Sequence, residues 1–237
     1  MKQEFTIWFT GLPSSGKSTL AGLLEARIRA RGFPVMVLDG DEVRTWLTAG
    51  LGFSRADRDE NIRRIAHLAR FQNRAGVITI TAAISPYRRS REEARQLIGR
   101  FLEVYIDCPL EVCEERDVKG LYKKARRGEV QHFTGVSDPY EPPMTPDVVV
   151  RTDREGKDAC VTQIMERIEH MGYLPVGHVR CEVILPADLV DGLGSSAHTI
   201  LTGLASREAR LSGAGQSITA AEWGEIERRL RALGYLQ

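Results

Sequence analysis

Residues 7–19 place an apolar strand, the pattern Gly-x-x-x-x-Gly-Lys-Ser and the start of an amphipathic helix in direct succession. Gly11 and Gly16 let the backbone turn tightly, so that successive amide N–H groups converge where the helix directs its positive dipole end. The alternative is a plain structural turn that matches the pattern by chance. The apolar strand before the pattern and the apolar helical stripe after it favour a phosphate-binding loop.

The residue types within this loop indicate nucleotide binding. Lys17 is expected to reach the β- and γ-phosphates, and the Ser18 hydroxyl is expected to ligate Mg²⁺. The residues expected to hold ATP are Gly11, Ser14, Ser15, Gly16, Lys17, Ser18 and Thr19.

Short apolar runs alternate with helical stripes along the chain, which predicts an α/β fold with a parallel five-stranded sheet wrapped by helices on both faces. The predicted strands are 5–10, 35–38, 77–84, 102–106 and 148–150. Ligands of such sheets bind at the carboxyl ends of the strands. Those ends carry Gly11, Asp39, Asp41 and Ser85.

Local signals predict where several helices begin and end. Ser54 with Asp57, and Ser90 with Glu93, have the spacing of capping boxes and predict helix starts near 55 and 91. Gly32 and Gly76 are expected to end the preceding helices.

The chain is expected to contain two domains. After a last helix at about 157–171, Gly172 and Pro175 mark a boundary, which separates a domain at 1–173 from a small α/β extension at 174–237. In this extension we expect a strand at 178–185 and a helix near 221–233, with Thr219 as its cap. No cluster of chemistry-bearing residues in the extension indicates its role.

Composition and charge limit the possible partners. The 237 residues are 42% hydrophobic, enough for a sizeable core, and the net charge of +1 argues against a nucleic-acid binder. Residues 54–100 nevertheless carry 11 arginines, no lysine and 5 acidic residues, which is consistent with a small anionic substrate. Genome composition is the alternative explanation, because arginine dominates the basic residues of the whole chain.

The four cysteines, Cys108, Cys113, Cys160 and Cys181, have no metal-binding spacing and are expected to be small buried residues. The amino terminus has no charged-then-apolar leader, and no apolar run approaches the ~18–20 residues of a membrane helix. We therefore expect a cytoplasmic protein that does not contact a membrane.

Two further segments are candidates for roles in a phosphoryl transfer, one on the acceptor side and one as a lid. Asp39 and Asp41 follow the second strand, and Asp41 is expected to accept the proton of the acceptor hydroxyl. The alternative is that both are ordinary helix-capping acids. Residues 117–146 combine a basic run with several prolines, and they form either a solvated loop or a lid that excludes water.

Four separated blocks closely resemble adenylyl-sulfate kinases: LGFSRADRDEN at 51–61, ISPYR at 84–88, DVKGLYKKAR at 117–126 and FTG at 133–135. The resemblance covers residues 4 to about 172. It implies a P-loop kinase fold of three layers, ATP and Mg²⁺ as co-substrates, and transfer of the γ-phosphate to the 3′-hydroxyl of adenosine 5′-phosphosulfate. It also implies a homodimer.

The resemblance assigns Arg44, Phe53, Arg58, Asn61 and Phe133 to acceptor binding. Further candidates for binding the acceptor are Asp39, Ser85 and Lys119. Arg58 and Asn61 are three apart on one helical face, so a guanidinium and an amide can meet one ligand. Phe53 and Phe133 are expected to enclose the adenine, although an isolated aromatic residue is more often part of a core.

Ser85 allows two interpretations. It either binds the acceptor, partly through its backbone, or carries phosphate covalently. Acceptor binding is favoured, because a serine nucleophile needs a base beside it and the neighbouring sequence offers none.

Three positions depart from the family pattern: Glu42 stands where asparagine is common, and Pro13-Ser14 replaces Ser-Gly. Pro13 removes one backbone N–H from the loop, and Glu42 adds negative charge near an anionic acceptor. Two other hypotheses therefore stay open, namely a sister kinase for a different nucleotide-linked acceptor and a nucleotide-binding regulatory module. Lys17 together with Asp41 argues against the regulatory module.

Overall fold

Five parallel strands form the centre of the structure, a computed structural model that describes residues 4–175. The strands lie in the order β2-β3-β1-β4-β5. They are β1 (Thr6–Thr10), β2 (Val35–Asp39), β3 (Ile78–Ala82), β4 (Phe101–Ile106) and β5 (Val148–Val150). The helices are α1 (Lys17–Ala30), α2 (Gly40–Trp46), α3 (Arg55–Arg74), α4 (Arg88–Ile98), α5 (Leu110–Arg116), α6 (Leu121–Arg126) and α7 (Lys157–His170). The predicted five-stranded parallel sheet is confirmed, with strand ends within two residues of those expected.

The central strand β1 separates two hydrophobic cores. Because side chains alternate along a strand, Ile7 and Phe9 enter one core, with buried residues of α1 and α7, and Trp8 enters the other, with residues of α3 and α4. All five residues of β1 are buried. The predicted three-layer arrangement is confirmed, and it fixes the loop after Thr10 at the middle of the sheet edge.

One of the two predicted capping boxes is correct. The Ser54 hydroxyl accepts a hydrogen bond from the Asp57 amide at 3.2 Å, and α3 begins at Arg55. The prediction from Ser90 was wrong, because α4 begins at Arg88 and the Glu141 carboxylate, from a distant loop, accepts from the Arg88 amide at 2.9 Å. Ser90 lies inside α4 and its hydroxyl donates to Asp59.

The predicted helix ends are confirmed. Gly32 and Gly76 follow α1 and α3 with φ of 78° and 83°, in the left-handed region that glycine adopts readily. The last helix ends at His170, and Gly172 with φ of 65° follows it.

Several predictions concern the carboxyl-terminal extension. The strand at 178–185, the helix near 221–233, Thr219 and Cys181 lie outside the described residues. Within them, Cys108, Cys113 and Cys160 are buried and unpaired, as expected. No helix formed by residues 4–175 has the length and apolar character needed to span a membrane.

Substituting Ile80→Ala tests the core at the middle of β3, where Ile80 is fully buried. We expect the free energy of unfolding to fall by about 2–5 kcal/mol, because transfer and cavity terms add. Phe71→Ala, at a 70% exposed position, should change it by less than about 0.5 kcal/mol. Urea titration measures both, and equal losses would contradict the assignment of the core.

Candidate active site

A cleft of about 750 Å³ opens at the carboxyl ends of the strands. It brings together residues that the sequence places far apart, and most of the predicted site residues line it. These are Ser14, Gly16, Lys17, Ser18, Thr19, Asp41, Arg44, Phe53, Arg58, Asn61, Ser85, Lys119 and Phe133. Gly11, Ser15 and Asp39 do not line the cleft, but each accepts a hydrogen bond from Lys17 or Ser18, which do.

The loop after β1 is shaped by close backbone approach. A Cβ atom on Gly11 would lie 2.8 Å from the Ile106 carbonyl oxygen of β4, so only glycine fits there. Gly16 caps α1 with φ of 104°, and Ser14 has φ of 59°. Ser15 is buried, and its amide donates to the Leu12 carbonyl at 3.2 Å. This is the tightly turned form in which a phosphate-binding loop directs backbone amides toward an anion.

Lys17 is held inside this loop. Its ammonium group donates to the carbonyl oxygens of Gly11 at 3.0 Å and Leu12 at 2.6 Å. Burial lowers the pKa of Lys17 to about 8, although the nearby carboxylates of Asp39 and Asp41 act in the opposite direction. A poorly solvated cation of this kind gains strongly from a phosphate, since the low local dielectric strengthens their attraction.

Asp39 links the phosphate-binding loop to α2. One of its carboxylate oxygens accepts from the Asp41 amide at 2.9 Å, so the capping interpretation of Asp39 is correct. The other accepts from the Ser18 hydroxyl at 2.6 Å. A hydroxyl beside a carboxylate offers the hard oxygen ligands that Mg²⁺ prefers. Within residues 4–175, no group of three or more His, Cys, Asp or Glu side chains forms a metal cage.

Asp41 faces the cleft from the first turn of α2. Its carboxylate forms an ion pair with the Lys119 ammonium, which approaches from the segment between α5 and α6. Both side chains are largely exposed. The capping interpretation does not apply to Asp41, which leaves its carboxylate available to a ligand.

Two arginines flank the Phe53 ring on the opposite wall. The guanidinium carbons of Arg44 and Arg58 lie 4.5 Å and 5.6 Å from its centroid. Arg44 donates to the Gly52 carbonyl at 3.1 Å, and Arg58 donates to the carbonyls of Phe53 at 3.0 Å and His132 at 2.5 Å. Burial lowers the pKa of both guanidinium groups from their ordinary value.

Asn61 lies one turn after Arg58 on α3. It is buried, and its side-chain oxygen accepts from the Thr48 hydroxyl at 2.8 Å. That bond orients the amide nitrogen as a donor, and Asn61 and Arg58 both line the cleft, as their spacing predicts.

The two phenylalanines occupy different environments. Phe53 is 51% exposed, whereas Phe133 is buried, with its ring 4.9 Å from that of Tyr122 in an edge-to-face arrangement. Both rings line the cleft. That these two rings enclose an adenine remains a prediction. In it the buried Phe133 ring forms one side of the adenine site and the exposed Phe53 ring forms the other.

Ser85 is buried, with φ of 42°. Its hydroxyl accepts from the Trp8 indole N–H at 3.1 Å. Among residues 4–175, no histidine or carboxylate side chain hydrogen-bonds to this hydroxyl, so a covalent phosphate carrier finds no base here.

Three supporting residues were not predicted. The Tyr122 hydroxyl donates to the Pro13 carbonyl at 3.1 Å, and the Thr152 hydroxyl donates to the Ser15 carbonyl at 2.7 Å. Arg116 in turn donates to the Thr152 carbonyl at 2.6 Å. Thr152 follows β5, so its position at the end of a predicted strand was the one available signal. Pro13 lacks an N–H, yet its carbonyl is fixed from outside the loop.

The lowered pKa of Lys17 predicts a pH dependence of nucleotide affinity. Since the protonated form binds phosphate, the affinity of the protein for a non-hydrolysable ATP analogue should fall as pH rises through about 8. The dissociation constant should increase about tenfold between pH 7 and pH 9, and calorimetric titration measures it. Lys17→Met should bind weakly and show no such dependence, and a constant wild-type affinity over this range would contradict the assignment.

Comparison with known proteins gives consistent results. A family model described as adenylylsulphate kinase matches residues 3–151. An adenylyl-sulfate kinase of Rippkaea orientalis is 56% identical over 175 residues, which cover 73% of this chain and 97% of the relative. A solved Mycobacterium tuberculosis APS kinase in complex with AMPPNP and APS is 44% identical, with a TM-score of 0.68 and coverage of 70% and 98%. A hexameric APS kinase from Thiobacillus denitrificans is 37% identical, with a TM-score of 0.56, and the similarity covers 73% of this chain and 30% of that one.

Proposed function

Since this chain belongs to the adenylylsulphate kinase family, we propose a division of labour within its cleft. The chain is an ATP-dependent kinase that transfers the γ-phosphate of ATP to the 3′-hydroxyl of adenosine 5′-phosphosulfate, which yields 3′-phosphoadenylyl sulfate and ADP. The observation that supports a donor site and an acceptor site is a single cleft lined by the phosphate-binding loop and by Arg44, Arg58 and Asn61.

The phosphate-binding loop is the donor site. Its inward amides and Lys17 bind the β- and γ-phosphates of ATP, and the ammonium gains in this exchange because its present partners are neutral carbonyl oxygens. Ser18 supplies a hydroxyl ligand for Mg²⁺, with Asp39 positioning that hydroxyl. When bound, Mg²⁺ neutralises charge on the phosphates.

The wall formed by Arg44, Phe53, Arg58 and Asn61 is the acceptor site. Phe53 and Phe133 enclose the adenine, while the two guanidinium groups neutralise the phosphosulfate. Backbone carbonyls already hold each guanidinium in place. Little side-chain entropy is therefore lost when the anion binds.

Asp41 is the group that accepts the proton of the 3′-hydroxyl. It projects into the space between the two walls, and Lys119 reaches the same place from the 117–120 turn. The transferred phosphoryl group offers the Lys119 ammonium an alternative anionic partner. Release of the Asp41–Lys119 ion pair then frees the carboxylate as the segment closes over the substrates, which is the lid function predicted for 117–146.

The remaining assignments concern the protein as a whole. We propose that catalysis is confined to residues 1–173, and that the protein works as a cytoplasmic homodimer. The resemblance to the family supports a dimer, whereas the relative from Thiobacillus denitrificans is hexameric. Light scattering of the full chain distinguishes these assemblies.

A coupled assay of ADP release tests the function directly. With ATP, Mg²⁺ and adenosine 5′-phosphosulfate we expect turnover at a rate typical of kinases, on the order of 1–100 s⁻¹. Omission of Mg²⁺ should remove it, since the phosphates then lack their neutralising cation. Adenosine 5′-monophosphate as the acceptor is the matched control. Release of ADP no faster with the sulfated acceptor than with this control would overturn the proposal.

Asp41→Asn tests the proton acceptor. The amide keeps the shape of the side chain but cannot accept a proton, so kcat should fall by about 10²–10⁴-fold. KM for ATP should stay close to the wild-type value. Glu42→Gln removes the neighbouring carboxylate, which is exposed and does not line the cleft, and it should leave kcat nearly unchanged. Comparable losses of kcat in the two variants would count against Asp41.

A further inference from the structure

Arg91 is a buried cation on α4 that does not itself line the cleft. It is 3% exposed, and its Nε donates to the Glu103 carboxylate of β4 at 2.8 Å. Its two terminal nitrogens donate to backbone carbonyls, Nη1 to Ser85 at 2.7 Å and Nη2 to Glu141 at 2.8 Å. One guanidinium therefore joins the sheet, the loop after β3 and the proline-rich segment.

The Ser85 contact falls at a strained point of the cleft wall. Ser85 has φ of 42°, a left-handed conformation that is strained for a residue other than glycine. The Ser85 carbonyl accepts from the buried Arg91 guanidinium at 2.7 Å and, at 3.3 Å, from the Thr10 hydroxyl, which also donates to the Ile84 carbonyl at 2.9 Å. The neighbouring residues Ile84 and Pro86 line the cleft with Ser85.

We propose that Arg91 is a positioning residue of the acceptor site, which acts by holding the Ser85 peptide in its left-handed conformation. This inference rests on the proposed function, in which the wall at 84–86 contacts the acceptor. Without the anchor, Ser85 relaxes to negative φ and displaces the wall. The phosphate-binding loop has its own supports in Tyr122 and Thr152 and is unaffected.

Arg91→Lys is the test, because lysine keeps the charge opposite Glu103 but cannot reach three acceptors at once. We expect KM for adenosine 5′-phosphosulfate to rise about tenfold, the loss expected for a charged hydrogen bond, with KM for ATP changed less than twofold. Arg95→Lys is the matched control. Arg95 lies one turn further on α4 and pairs with Glu103 and Asp147 without contacting Ser85, so both KM values should stay near wild type.

Double variants that also change Ser85 distinguish a positioning role of Arg91 from a general loss of structure. Glycine adopts positive φ without strain, so the rise in acceptor KM caused by Arg91→Lys should shrink to about twofold or less when Ser85→Gly is also present. Ser85→Ala removes the hydroxyl but keeps the strain. In that background the full tenfold rise should persist.

Thr10→Val covers the case in which Arg91→Lys fails to fold, because it removes a hydroxyl that donates to the carbonyls of both Ile84 and Ser85. It should raise the acceptor KM in the same direction, and Ser85→Gly should again suppress the rise. Equal rises in both KM values, equal effects of Arg91→Lys and Arg95→Lys, or no suppression by glycine would overturn the inference. A wild-type protein that fails to phosphorylate adenosine 5′-phosphosulfate would instead overturn the proposed function.

Discussion

The site depends on the contact between the Gly11 backbone and the Ile106 carbonyl of β4. No side chain fits between them, so the chain leaves β1 close to the neighbouring strand and turns immediately. The turn leaves the Lys17 ammonium among the carbonyl oxygens of its own loop. Thr152 and Tyr122 bind the outer carbonyls of the loop. The two hydrophobic cores hold β1 in place. The contacts of Gly11, Tyr122 and Thr152 then fix the positions of the loop amides relative to β1.

Asp39 shows how one group serves both fold and site. As the cap of α2 it satisfies an amide that would otherwise lack a partner. Its second oxygen orients the Ser18 hydroxyl. The start of α2 is thereby tied to the start of α1, and Asp41, two residues later, is placed opposite Lys119. The position of the proposed proton acceptor is therefore fixed by helix capping.

The sequence predicted what depends on short-range patterns. Alternation of apolar residues located the strands, and the Ser54 side chain capped its own helix as its spacing indicates. The prediction of a capping box at Ser90 was wrong because the acceptor at the start of α4 is the carboxylate of Glu141, about fifty residues away. The same limit applies to the site. The Ser85 hydroxyl accepts from Trp8, which precedes it by 77 residues on the strand paired with β3. Such a partner follows from strand order, which no local spacing reveals.

The arginine-rich stretch 54–100 correctly indicated an anionic substrate, but it did not identify the cations that line the cleft. Five of the eleven arginines of 54–100 form ion pairs within the fold: Arg63 and Arg64 pair with Glu60, Arg89 with Glu93, and Arg91 and Arg95 with Glu103. Arg58 is the arginine of that stretch that lines the cleft. The other Lys and Arg residues of the cleft come from outside it; they are Lys17, Arg44, Arg116, Lys119 and Lys157. The positive charge of the cleft is thus gathered from separate segments of the chain. A local excess of arginine along the chain reflects ion pairing within the fold as well as ligand binding, and strand topology decides which cations line the cleft.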